Sequence, residues 1–352
     1  MNNLTNKNYI KLEFQNNESK NLNSHKIRMN NDNNIKINNI IRCFFLIISL
    51  NIVFFIYYFQ KSKKMKKKYD IDFDYTTYEN YIITKKVKKL AGWLLRRTQP
   101  DFINGLIRKY KPKNCLEIGV ANGGSSILIL NAIQDIPNSS LVSLDLNTLL
   151  YNDQTKKTGY RVNQYFPELA KNWKLLTGQQ PHKFLVQLDM KFDFVFLDAA
   201  HRAPGELLNL IELLPFLKEN AIFVLHDILW HFNIKNTIYP SNVHLYPAIY
   251  GDKVLLKNND GTIGNIGAVF LYNNQESHYL DYFFLLLTFW EYMPTDNEID
   301  DLRIFIKNYY KKDIYLNIFD TAVMKNKIAI KNHQKYYRNY LLKRNKDKDK
   351  GF

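Results

Sequence analysis

The sequence predicts a doubly wound, mostly parallel α/β sheet of the Rossmann-like kind, on three observations. Short, nearly continuous apolar runs alternate with helix-length patterns from residue 115 to residue 225, the signature of a parallel sheet covered on both faces. The first run opens into a glycine-rich turn, NCLEIGVANGGSS at Asn114–Ser126, where glycines permit tight turns and a helix start presents unpaired N–H groups. Three runs close on carboxylates, Asp145, Asp198 and Asp227, at the strand edge where such sheets bind ligands.

Residues 1–39 are rich in Asn, Lys and Ser and sustain no period of two or 3.6, so disorder is expected. They do not read as a secretory leader, because the apolar run comes late and no small-residue cleavage site follows. That run, Cys43–Phe59, is interrupted only by Ser49 and Asn51. Residues 40–60 are expected to form a single membrane-spanning helix, with a buried or interfacial segment as the alternative. The basic stretch KSKKMKKK opens a linker over 61–76 and favours a cytoplasmic C-terminal part. Met65 begins a second plausible start, MKKKYDIDFDY, which would leave a cytoplasmic protein.

Two cysteines, Cys43 and Cys115, sit in apolar runs and read as buried thiols rather than a disulfide framework. The net charge of +16 is concentrated in the linker and the tail. It suits solvated lysine, anionic lipid or an anionic substrate; without a basic stripe interleaved with aromatics, nucleic acid is not an expected partner.

A main domain is expected over 77–275, led by helical spacing at Ile82, Ile83, Val87, Leu90, Ala91 and Leu94. Asp101 is expected to cap a short helix ending before Pro112. Strands are expected at Cys115–Ile118, Leu141–Asp145, Lys174–Thr177, Phe192–Leu197 and Ala221–Leu225, with helices at Ser125–Gln134, Arg161–Lys171, Pro181–Leu188 and Pro204–Leu217. A late antiparallel hairpin is expected from Lys253–Leu256 and Ile266–Tyr272. Residues 276–352 read as a helical region with a basic tail, and YLDYFFLLLTFWEYM as one packed or interfacial helix.

The segments Glu117-x-Gly119-x-x-x-Gly123-Gly124-Ser125-Ser126, Asp145, FLDAAH and VLHDI resemble the class I S-adenosylmethionine-dependent methyltransferases over about residues 90–272. The resemblance implies a seven-stranded sheet and a cofactor site formed by Glu117, Gly119, Gly123, Ser125, Ser126, Asp145, Gln179 and Asp198. Asp145 would accept hydrogen bonds from the ribose hydroxyls, and Gln179 would meet the adenine. Within the family the chain looks like the metal-dependent sugar and macrolide O-methyltransferases, which implies Mg²⁺ on Asp198 and Asp227. His226 stands where that branch often has an acid, so metal-free chemistry with His201 or His226 as general base near neutral pH is the alternative. Asp198, His201 and His226 are thus the candidate catalytic residues, and Trp230, His231 and Tyr239 candidate acceptor contacts. The expected activity is O-methylation of a glycan or small metabolite. A non-catalytic binding or scaffold protein is the second reading. A nicotinamide oxidoreductase is third, because Val120–Asn122 lack the glycines of its fingerprint.

Overall fold

A computed structural model describes residues 83–91, 95, 98–229, 241–258 and 261–348, all within one unit spanning Ile71–Phe352. The expected segments 1–39, 40–60 and 61–76, and Trp230, His231 and Tyr239, lie outside the described residues. Among those described, no helix is long and apolar enough to cross a membrane.

Two lead-in helices, α1 (Lys85–Ala91) and α2 (Gln99–Tyr110), precede strand β1 (Asn114–Ile118). Val87, Ala91, Phe102, Ile103 and Leu106 are fully buried on them and join the main core. Asp101 does not cap α2. The helix already starts at Gln99 with Pro100 in its first turn, where a missing N–H costs nothing, and Asp101 is bonded instead to Lys88 of α1 at 2.8 Å.

The chain then alternates as expected. Helix α3 (Gly124–Ile133) leads to β2 (Ser140–Asp145), and a small hairpin, β3 (Leu149–Leu150) with β4 (Asp153–Lys157), follows. Helix α4 (Tyr160–Tyr165) precedes β5 (Trp173–Thr177), α5 (Pro181–Leu188) precedes β6 (Phe192–Leu197), and α6 (Gly205–Leu213) precedes β7 (Leu217–His226). Helix α7 (Ser241–Ala248) leads into β8 (Gly251–Lys257) and β9 (Ile263–Leu271). Seven strands form one sheet in the order β5-β2-β1-β6-β7-β9-β8. Five are parallel; β9 runs antiparallel to both β7 and β8. Phe194, Val195, Phe196, Phe223 and Val224 are fully buried, which is why these strands read as unbroken apolar runs rather than as an alternating pattern.

Three segments depart from expectation. The helix expected at Arg161–Lys171 breaks at Phe166, and a 3-10 turn occupies Pro167–Asn172. Proline disfavours helical backbone in the residue before it, and Phe166 leaves the helical region at φ −145°, ψ 57°. The hairpin of β3 and β4 was not expected, because β4 is polar and exposed and carries no strand pattern. The aromatic run after residue 278 forms only a short helix, α8 (Tyr279–Leu285). Beyond it Asn326 accepts from the Trp290 backbone N–H at 2.8 Å and donates to Thr288 O at 3.1 Å, so a side chain takes over from helical bonds. Tyr282, Phe283, Leu286 and Trp290 are fully buried there, which accounts for the apolar length. Two further helices, α9 (Asp296–Tyr309) and α10 (Asp313–Lys348), complete the chain.

Candidate active site

The glycine turn is shaped by how closely β1 and β6 approach at their C-terminal ends. Gly119 has φ +88°, and a Cβ there would lie 1.8 Å from the Asp198 carbonyl oxygen; only glycine fits. Gly123, at φ +89°, precedes α3 and packs on the Gly159 backbone.

Glu117 points the other way. The sheet register pairs it with Ser143, so both side chains share the face covered by α3. Its carboxylate accepts from Ser125 Oγ at 2.5 Å, Ser126 Oγ at 2.5 Å and Ser143 Oγ at 2.6 Å, and Ser143 Oγ accepts from the Trp173 indole at 2.8 Å. Burial pushes the Glu117 carboxyl up to about 7, against the three hydroxyl bonds that lower it. Glu117, Ser125 and Ser126 are therefore fastened to one another beneath the turn, and neither they nor Gly123 are among the residues lining the cavity.

Asp145 does face the cavity, together with Gly119, Gln179 and Asp198. Its Oδ2 accepts from the backbone N–H of Val120 at 2.9 Å and of Ala121 at 3.1 Å, and its Oδ1 from that of Asn147 at 2.8 Å. The carboxylate thus fixes the glycine turn to the end of β2. Oδ2 thus has two donors and Oδ1 one, so Oδ1 keeps a lone pair with which to accept from a further hydroxyl. Leu146, Leu149 and Tyr151, from the stretch entering the small hairpin, continue the wall beside it.

The charged residues converge at the ends of β6 and β7. His226 Nδ1 lies 3.0 Å from Asp198 Oδ1, and its Nε2 lies 3.3 Å from Gln99 Oε1 of α2. His201 Nε2 lies 3.6 Å from Asp198 Oδ1 and 3.4 Å from Asp227 Oδ2. Asn265 of β9 donates to Asp227 Oδ1, and buried Glu206 of α6 accepts the His201 backbone N–H. His201 and Asp227 hold left-handed backbone, at φ +55° and +54°, a conformation disfavoured for residues with a Cβ and frequent at working sites.

These contacts set the protonation. Burial opposes charge on His201, yet Glu206, Asp198 and Asp227 together raise it to about 9. Burial likewise opposes the His226 cation, and Asp198 and Asp227 overcome it and raise its pKa. Burial raises Asp198, but His226 and His201 outweigh it and leave the group lowered. Burial, with the Asp198 charge, raises Asp227. Protonated, His201 has no lone pair with which to accept a proton or bind a metal; a cation held by Asp198 and Asp227 would take the place of that proton at Nε2.

One carboxylate oxygen from each of Asp198 and Asp227 and one nitrogen of His201 lie within 4.8 Å of one another. Two carboxylates and an imidazole fit a divalent cation. The imidazole suits Mn²⁺ or another transition metal better than the all-oxygen preference of Mg²⁺.

The cavity measures about 1030 Å³. Its far wall comes from α6 (Leu208, Asn209, Glu212), from Thr262 to Asn265, and from the C-terminal part (Tyr292, Glu298, Leu302). Of the residues in or around the site, Gln99, Glu206, Asn265 and Glu298 escaped sequence reasoning. Only Glu206 carried a signal, as an acid in the first turn of the helix after FLDAAH.

Sheet order, glycine turn and strand-end carboxylates define a Rossmann-like nucleotide-cofactor domain. Residues 116–228 match the family described as Methyltransferase domain. No curated protein matches the chain. Similar solved structures include the O-methyltransferase from Bacillus cereus in complex with SAH, at 18% identity, covering 55% of this chain and 96% of that one, with a TM-score of 0.41. The O-methyltransferase TomG from Streptomyces achromogenes, involved in tomaymycin synthesis and in complex with SAM, is 17% identical, with 56% and 95% covered and a TM-score of 0.41. A SAH-bound methyltransferase of Podospora anserina is 17% identical, with 54% and 89% covered and a TM-score of 0.39.

Proposed function

We propose that this domain transfers the methyl group of S-adenosylmethionine to a hydroxyl oxygen of a small-molecule or glycan acceptor. The observation that carries the reading is that the cofactor edge (Gly119, Asp145, Gln179) and the charged group (Asp198, His201, His226, Asp227) line one cavity. Asp145 accepts the ribose hydroxyls while keeping the glycine turn in place. The acceptor enters from the α6 and C-terminal wall, so its hydroxyl meets the sulfonium methyl beside Asp198 and Asp227. Holding the two reactants in line is the larger part of the catalysis.

Asp198, Asp227 and His201 would hold the cation, which would bind the acceptor oxygen and favour its ionised form. The hydroxyl proton would leave to Asp227, whose carboxyl pKa is raised by burial. His226, between Asp198 and Gln99, keeps Asp198 charged and oriented. Incubating the full-length protein with S-adenosylmethionine, Mn²⁺ or Mg²⁺ and a panel of glycosides and catechols should yield S-adenosylhomocysteine with at least one of them. Failure to bind S-adenosylmethionine, with and without the cations, would sink the reading and favour a non-catalytic binding protein on this fold.

A further inference from the structure

His201 is held at two points by one residue. Glu206 has zero exposure, and it sits in the first turn of α6, five residues along the chain from His201. Its Oε1 accepts the His201 backbone N–H and lies 3.3 Å from His201 Nδ1. The first contact stabilises a left-handed residue, at φ +55°, a conformation that is costly for a residue with a Cβ. The second puts the carboxylate at ion-pair distance from Nδ1 and so favours a proton on that nitrogen. With Nδ1 facing Glu206, Nε2 is the nitrogen turned toward Asp198 and Asp227, at 3.6 Å and 3.4 Å. The His201 side chain is 27% exposed, so packing alone leaves the ring room to turn. Backbone, ring tilt and choice of nitrogen all trace to the same buried carboxylate.

We propose that Glu206 is the positioning residue of a three-donor cation centre, holding His201 by Nδ1 so that Nε2 joins Asp198 and Asp227 as a ligand. The proposal rests on the cation-binding part of the function proposed for this cavity and adds to Asp198, Asp227 and His201 the outer carboxylate that positions the histidine. An imidazole that bonds a carboxylate through one nitrogen and a metal through the other is fixed in orientation and made a stronger ligand, and loss of such an outer partner weakens metal binding about 10- to 100-fold. The local geometry leaves no slack for a substitute. Gly205, beside it, would place a Cβ 2.3 Å from Ala200 Cβ, so the loop closes tightly on the start of α6.

The test is Mn²⁺ affinity, read by titration calorimetry and by the loss of free-ion electron paramagnetic resonance signal. Full-length wild type, Glu206→Gln, His201→Asn and the double variant are compared. Glutamine keeps the size of the side chain and an acceptor for the backbone N–H but removes the charge. Glu206→Gln should weaken Mn²⁺ binding about tenfold or more, with S-adenosylmethionine affinity unchanged. His201→Asn should weaken it at least as much, and the double variant no further, because Glu206 acts through His201. Should Glu206→Gln fail to fold, Glu206→Asp replaces it; one methylene shorter, it is expected to weaken Mn²⁺ binding as well. Equal Mn²⁺ affinity in wild type and the Glu206 variant overturns the proposal and leaves the aspartate site standing. A loss of the same size with and without His201 also overturns it, since Glu206 would then act by another route. Absence of Mn²⁺ binding in the wild type removes the cation reading itself, and this proposal with it.

Discussion

Glu117 is one residue whose chemistry and position pull apart. It stands in the motif that resembles a cofactor loop, yet its carboxylate is enclosed by three serine hydroxyls. Burial raises its pKa from 4.5 to about 7. The folded chain thus holds this proton more tightly than the unfolded chain. The associated stability is fully present below about pH 4.5 and is lost as pH rises through about 7. A shift of that size corresponds to on the order of 3 kcal/mol. Glu117→Gln removes the titration while leaving hydroxyl partners that can rotate to suit an amide. The melting temperature of wild type relative to Glu117→Gln should therefore fall between about pH 5 and about pH 8; a constant difference would show that the carboxyl does not titrate in this range. Sequence alone could not orient this side chain. The acid is visible in the string, but its direction follows from the pairing of Glu117 with Ser143 across two strands. The same holds for Gln99, which reaches His226 across 127 positions.

Among the elements, the parallel strands were the most legible and the connections the least. Phe192–Leu197 has the bounds that its apolar pattern implies, because burial on both faces leaves a nearly continuous apolar run broken only by Asp193. The hairpin of β3 and β4 left no such trace, since its residues face solvent. Helix α9 illustrates how a connection can matter to the site. Thr295 and Glu298 form a reciprocal capping box, with Thr295 N donating to Glu298 Oε2 at 2.7 Å and Glu298 N to Thr295 Oγ1 at 3.3 Å. The same Glu298 accepts from Gln180 at 2.5 Å and lines the cavity. Thr295→Ala should lower stability by about 1 kcal/mol, or roughly 2–4 °C in melting temperature. A scanning calorimetry trace indistinguishable from wild type would mean that the cap contributes nothing to holding α9.

At the scale of the whole molecule, residues 116–228 supply the cavity wall that carries Gly119, Asp145 and Gln179, and the later strands and C-terminal helices supply much of the facing wall. Acceptor choice is therefore expected to depend on Asn209, Glu212, Tyr292 and Glu298 more than on the motif residues. The apolar pattern of residues 40–60 carries its own prediction. The full chain should stay with membranes through carbonate extraction, whereas a chain begun at Met65 should be released; equal release of both would reject the span. The central claim, that the cavity takes S-adenosylmethionine at Asp145, has a more direct test. Titration calorimetry of the full-length protein with S-adenosylmethionine should give one site per chain. Asp145→Asn, which loses a charge and an acceptor at the ribose while keeping an oxygen for the glycine turn, should weaken that affinity about tenfold or more. Equal affinity in the two proteins, or no heat of binding in the wild type, would contradict the account.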